Sequence, residues 1–226
     1  RNPDCTPAPT SNGGGITFAV VHHTVNANSY SAAQVPALIA SIYEYHVGAN
    51  RWCDIAYNFV IDRFGRIWEG RSGGVANPII GGHAKGFNTG SVGVAFLGQY
   101  QPGASPSAAA PTSAALTAAG QLIGWKLALH RHSPNTQTTT MSRGSSKYPA
   151  GQYVTVNRVS GHRNVQLTSC PGDLLYTQVA KIRSVATSYQ SSLPAPPAAI
   201  RPFRIPGALV TQTYGDILVR LPANDR

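Results

Sequence analysis

Ile16-Thr17-Phe18-Ala19-Val20-Val21-His22-His23-Thr24 is the stretch from which the fold is read most directly. Residues 16–21 are apolar and rich in β-branched and aromatic side chains. The run is too short for a helix and has the length of a buried strand. It ends in two adjacent histidines, polar groups placed where a buried strand runs out. Further on, Ser31 stands as an N-cap before residues 32–46, where Val35, Leu38, Ile39, Ile42 and Tyr43 recur at helical spacing and Gly48 supplies a stop. Residues 57–61 and 66–69 flank Asp62-Arg63-Phe64-Gly65, the pattern of a β-hairpin. Residues 91–97 read as a second buried strand.

Residues 102–111 are rich in Ala, Ser and Pro and read as a surface loop, after which Thr112 caps a long helix to about residue 130. Residues 131–151 read as a polar loop, residues 153–156 as a short strand, and Asp173 opens a last helix to about residue 190. Pro194-Ala195-Pro196-Pro197 breaks the chain, and the remainder is basic and Pro-punctuated with one β-like run at residues 216–221. Strands and helices alternate, so the expected class is α/β, a central mixed sheet flanked by helices. The expected organisation is an N-terminal arm over residues 1–15, one domain over 16–192 and a tail over 193–226, too short for a domain of its own.

Composition narrows the function classes. A chain of 226 residues with 42% hydrophobic side chains can bury a sizeable core. It contains no run of about 18 apolar residues, so no transmembrane helix is expected. No signal peptide is visible, and the start at Arg1 rather than Met fits a leader already removed and a trimmed chain equally. Eighteen Lys and Arg against eight Asp and Glu give a formal net charge of +10, a balance that favours acidic partners. Nucleic acid is not the expected one, because the basic residues are scattered, only 12% of residues are charged, and no nucleic-acid motif occurs. Another anionic polymer fits equally well, and solubility alone is a sufficient reason for such a charge.

Two segments carry chemistry: the His22-His23 pair, and Gly161-His162-Arg163-Asn164 followed by Thr168-Ser169-Cys170-Pro171-Gly172. Imidazole nitrogen and thiolate sulfur are good zinc ligands, and three protein ligands with an open fourth position are the catalytic arrangement. A zinc finger would need a fourth close ligand, and the loop-like spacing from His162 to Cys170 supplies none. Each residue alone has a duller reading: a histidine at a strand end is more often a core or capping group, and a cysteine is often a small buried hydrophobe. It is their conjunction that points to a metal. With Cys170 so occupied, an odd set of three cysteines leaves Cys5 and Cys53 as a possible disulfide tying the arm to the domain.

The order of motifs resembles a known family, the type 2 N-acetylmuramoyl-L-alanine amidases, also called the peptidoglycan recognition protein family. The resemblance covers roughly residues 14–192. It rests on Val21-His22-His23-Thr24, Asp54-Ile55-Ala56-Tyr57-Asn58-Phe59, Trp68-Glu69-Gly70-Arg71, Gly82-His83-Ala84-Lys85-Gly86, Ser91-Val92-Gly93-Val94, and Gly161-His162-Arg163 through Cys170-Pro171-Gly172.

The resemblance implies one zinc ion per chain held by His22, His162 and Cys170, with His22 preferred over His23. It implies hydrolysis of the amide between N-acetylmuramic acid and L-Ala of the peptidoglycan stem peptide, in a secreted protein working at the cell wall. Tyr57 matches an active-site tyrosine, and Thr168 stands two residues before the cysteine, where a hydroxyl can donate to a developing oxyanion but brings no charge. An acid found in some relatives is absent, its region being occupied by Ala95 and Phe96. His83 and Lys85 lie in the segment matching the substrate cleft; Trp52, Trp68 and Trp125 read first as core or cleft wall, with Trp52 near Tyr57 the one that could touch sugar. His83 has a second reading as a group behind the metal ligands. Glu69 is expected to pair with Arg71, and His46, His130 and His132 carry no signal beyond the surface or a helix end. Family members lacking the cysteine bind peptidoglycan without cutting it, so a non-catalytic recognition module is the alternative.

Overall fold

The computed structural model describes residues 14–193 and, as backbone, residues 201–202. Its elements run β1 (Phe18–His23), α1 (Val35–Tyr43), β2 (Phe59–Ile61), β3 (Ile67–Glu69), β4 (Ser91–Phe96), α2 (Ser113–Ala128), β5 (Gln137–Met141), β6 (Tyr153–Asn157), β7 (Val159–Gly161), α3 (Asp173–Tyr176), α4 (Val179–Ser191) and β8 (Arg201–Pro202). The six-stranded sheet has the order β7-β1-β4-β2-β3-β8, and β5 and β6 form a separate ribbon. It is mixed: β1 runs parallel to both β4 and β7, β2 runs parallel to β4, and β2 and β3 form the antiparallel hairpin. The fold is therefore α/β, a central mixed sheet flanked by helices.

The pleat of β1 sorts its side chains. All six residues are buried, so burial alone gives no face. Ala19 and Val21 belong to the large core that joins the sheet to α2 and α4. Phe18 and Val20 pack instead with Phe87 and with Val154 and Val156 of β6. Because successive side chains alternate across a strand, His22 continues the Phe18–Val20 face and His23 the face towards α2 and α4. A third cluster, Val35, Ile39 and Ile42 of α1 against Val60, Trp68 and Leu97, covers the sheet near the hairpin.

Local sequence explains most boundaries. Asp62 closes the hairpin: its Oδ1 accepts from the N–H groups of Phe64 and Arg66, and its Oδ2 from Arg66 Nε at 2.6 Å and Trp68 Nε1 at 3.0 Å. The Thr112 hydroxyl accepts from Ala115 N–H at 3.2 Å and caps α2, a contact whose loss costs about 1 kcal/mol. Ser31 begins its helix as expected, its N–H donating to the Gln34 side chain at 2.7 Å. The segment opens with a 3₁₀ turn and closes as a π-helical stretch over Glu44–Ala49.

Two expectations need correction. Residues 131–151 are not all loop, because they contain β5, paired antiparallel with β6. Its residues Gln-Thr-Thr-Thr-Met alternate between exposed and half-exposed, so it has no apolar face to announce it, although threonine is a good strand former. The last helix is interrupted between α3 and α4, where Gln178 N–H donates to Leu175 O at 3.0 Å in a 3₁₀-type turn. Leu175, Val179, Ile182 and Ala186 keep one buried stripe across the break, which is why periodicity reads a single helix. In the tail, β8 adds two residues to the sheet edge beside β3. The β-like run at 216–221 lies outside the described residues, as does the arm apart from Gly14 and Gly15.

Candidate metal centre

Register builds the site. Val21 of β1 stands opposite Gly161 of the parallel strand β7, so the next residues, His22 and His162, leave the carboxyl ends of neighbouring strands side by side. Their ring centroids are 4.4 Å apart. The carboxyl edge of parallel strands is where α/β proteins place ligands. Cys170 arrives from the following loop, which Arg163 holds: Arg163 N–H donates to Cys170 O at 3.0 Å, and its guanidinium donates to Asp173 Oδ1 at 2.6 Å and to Ser169 O. That guanidinium also lies over the Tyr176 ring, 4.7 Å from its centroid.

The ligand atoms of His22, His162 and Cys170 all lie within 4.8 Å of one another. Cys170 Sγ is 3.7 Å from His22 Nδ1, close to the roughly 3.5 Å edge that a tetrahedral zinc site demands. His162 Nε2 is buried and has no hydrogen-bond partner among the described residues. A buried ring nitrogen left unpaired is costly, and a metal ion would satisfy it. The donor set, two imidazoles and one free thiol, is the kind zinc takes. These residues therefore fit a zinc ion.

Burial dominates the electrostatics. It lowers His162 to about 4 and His22 well below the usual histidine range, the latter helped by neighbouring histidines. It pushes the Cys170 thiol up to about 12, against hydrogen bonding from the His23 backbone. A bound cation reverses that last preference, because a coordinating thiol is deprotonated.

The other expected residues divide into near and far. His23 turns away from the cluster, its Nδ1 accepting from Tyr100 N–H at 3.4 Å. Tyr57 lies near, its ring 5.2 Å from that of His22 and its hydroxyl donating to His23 O at 3.4 Å. Burial raises its phenol well above the ordinary range. The Thr168 hydroxyl accepts from Cys170 N–H at 3.1 Å, which leaves its own proton available. Trp52 is 45% exposed and packs 4.9 Å from His46. Lys85 is exposed, and its carbonyl accepts from Gln166 at 3.0 Å.

His83, grouped on sequence with the substrate-binding residues and given a second reading behind the metal ligands, is buried against the back of His22: its Nδ1 is 3.0 Å from His22 Nε2. His46 stands at a helix end, as one of its two expected readings has it, and not on the surface. It is buried, accepts from Ala56 N–H at 3.2 Å, and its ring lies 5.7 Å from that of Tyr57. No periodicity marks it, since it sits at an irregular helix end. Glu69 accepts from Gly74 N–H at 3.0 Å, and the Arg71 guanidinium donates to Ile80 O at 3.1 Å and to Ile55 O at 3.3 Å. Cys53 is disulfide-bonded, while Cys5 lies outside the described residues.

Comparison with known proteins gives the family. Residues 12–173 match the Amidase_2 family, described as N-acetylmuramoyl-L-alanine amidase. The chain is 31% identical over 164 residues to peptidoglycan-recognition protein SC2 of Drosophila simulans, covering 73% of this chain and 72% of that protein. It resembles the ectodomain complex of peptidoglycan recognition proteins LCa and LCx bound to tracheal cytotoxin (TM-score 0.58, 25% identity, 79% of this chain and 90% of that one). It also resembles peptidoglycan recognition protein LE in complex with tracheal cytotoxin, a monomeric diaminopimelic acid-type peptidoglycan (TM-score 0.57, 25% identity, 80% of this chain and 87% of that one). The chain belongs to the Amidase_2 family of N-acetylmuramoyl-L-alanine amidases, which it shares with the peptidoglycan recognition proteins.

Proposed function

We propose that this chain is a zinc-dependent N-acetylmuramoyl-L-alanine amidase, cutting the amide between N-acetylmuramic acid and L-Ala of the peptidoglycan stem peptide. The observation that carries the reading is the cluster of His22, His162 and Cys170, with its buried, unpartnered His162 Nε2. One zinc ion per chain, held by these three residues, would polarise the carbonyl and lower the pKa of a bound water to about 7.

The chain's own groups do the rest. Tyr57 and Thr168 donate hydroxyl protons to the oxygen that becomes negative as the amide is attacked. Trp52, beside His46, offers an exposed aromatic face to the glycan or peptide, and Lys85 a cation to its carboxylates. The similarity to proteins solved with peptidoglycan fragments supports the substrate class. A disulfide-bonded Cys53 suits a protein acting outside the cytoplasm, at the wall. Among the described residues no helix is long and apolar enough to cross a membrane.

The second reading, a recognition module that binds without cutting, draws on the relatives' names. A free thiol at Cys170 within the cluster favours the enzyme. Digestion of purified peptidoglycan, with mass spectrometry of the products, decides between them. Free stem peptides beginning with L-Ala support the amidase; binding to the wall with no such products supports the recognition module.

A further inference from the structure

Behind the cluster runs a chain of hydrogen-bonding groups whose direction can be deduced. His22 Nε2 is 3.0 Å from His83 Nδ1. His83 Nε2 is 3.4 Å from Ser91 Oγ. Ser91 Oγ donates to Phe87 O at 2.6 Å, with Asn88 O at 3.1 Å. A carbonyl only accepts, and a serine hydroxyl has one proton to give. That proton is committed to the backbone, so towards His83 the Ser91 oxygen can only accept. His83 Nε2 must then carry a proton, and His83 Nδ1 must present its lone pair. Facing that lone pair, His22 Nε2 must carry the proton, which leaves His22 Nδ1 bare. Nδ1 is the atom that stands 3.7 Å from Cys170 Sγ.

We propose that His83 is a positioning residue: oriented by Ser91 and the Phe87 carbonyl, it holds His22 as the Nε2–H tautomer and so keeps the Nδ1 lone pair turned to the metal. The proposal rests on the zinc reading of the cluster. A ligand whose tautomer is fixed in advance needs no proton rearrangement when metal binds, and such outer groups also hold the ring in orientation.

The surroundings are shaped for this ring. A Cβ at Gly93 would fall 2.3 Å from His83 Cδ2, and one at Gly81 would fall 2.4 Å from it. His83 therefore occupies a slot that glycine on β4 and glycine in the preceding loop leave open. Asn58 ties the two walls together, accepting from Gly93 N–H at 2.8 Å and donating to Ile79 O at 2.9 Å.

The test has two readouts besides activity. Long-range ¹H–¹⁵N correlation spectra of the zinc-free wild-type protein should show His22 protonated at Nε2 and bare at Nδ1. Chelator competition should then show zinc affinity about 10- to 100-fold weaker in His83→Ala, with His22 appearing as mixed tautomers. Ser91→Ala, which keeps the ring and removes only its acceptor, should move affinity in the same direction and serves if His83→Ala does not fold. A His22 protonated at Nδ1, or unchanged zinc affinity in a folded variant, would overturn the proposal. Failure of the wild-type chain to take up zinc would overturn the amidase reading instead, while the tautomer in the metal-free protein still decides the direction of the chain.

Discussion

Cys170 Sγ stands 3.7 Å from Nδ1 of His22, although 148 residues separate them along the chain. Neither position is set locally. His22 is held by a strand with neighbours on both sides, and Cys170 by a loop that Arg163 fastens to the turn carrying His162. The cluster is thus built from the sheet edge and one clamped loop, both well ordered by hydrogen bonding, and its response to substitution can be stated residue by residue.

Cys170→Ser should lose zinc and amidase activity while the domain stays folded. Serine is close in size, but its oxygen is neither soft nor readily ionised. Elemental analysis, circular dichroism and product release together check this. Full activity in the variant would remove Cys170 from the ligand set.

His22→Ala and His23→Ala should behave differently, because the pleat sends the two rings to opposite faces. His22→Ala loses zinc and activity together. His23→Ala keeps zinc, since its ring contacts Tyr100 N–H rather than the cluster, and its activity falls by about 10- to 100-fold at most. The measurement is zinc content per chain in each variant. The reverse pattern would mean that the ligand assignment is off by one.

Tyr57→Phe should retain zinc and slow turnover by roughly 10²-fold, the scale of losing one oxyanion donor. The hydroxyl's partner in the structure is a single long bond to His23 O at 3.4 Å, so its removal costs little stability. Unaltered kcat in a zinc-loaded variant would reduce Tyr57 to a packing role.

Lys126→Met should destabilise the fold by about 1–3 kcal/mol. Lys126 is fully buried in α2, and its Nζ donates to the carbonyls of Val75, Ala76 and Asn77 at 3.0, 3.1 and 3.0 Å. Methionine fills the space but leaves three carbonyls without that donor. Denaturant unfolding reads the loss, and hydrogen exchange should locate it in the loop at residues 73–80. Wild-type stability would show that water replaces the ammonium at no cost.

The sequence by itself determined the elements that have a strong local signature. The apolar run before His22-His23, the Asp62 hairpin, the Ser31 and Thr112 helix starts and the alternation of strands and helices all follow from period, capping and turn chemistry, which act over a few residues. The ordered motifs likewise pointed to the family and to His22, His162 and Cys170 as a set. Tertiary structure alone decided what depends on facing partners. Every residue of β1 is buried, so beyond the motif match it is packing against α2 and α4 on one side and against β6 on the other that separates His23 from His22. His83 lies against the back of His22 because Gly81 and Gly93, distant in sequence from that ring's partner, open a slot there. Lys126 is buried because a loop some 50 residues earlier turns three carbonyls towards it, and β5 is a strand because β6 supplies the hydrogen bonds that its polar sequence does not announce. In each case the deciding energy is a long-range contact, and residue type and local spacing do not encode it.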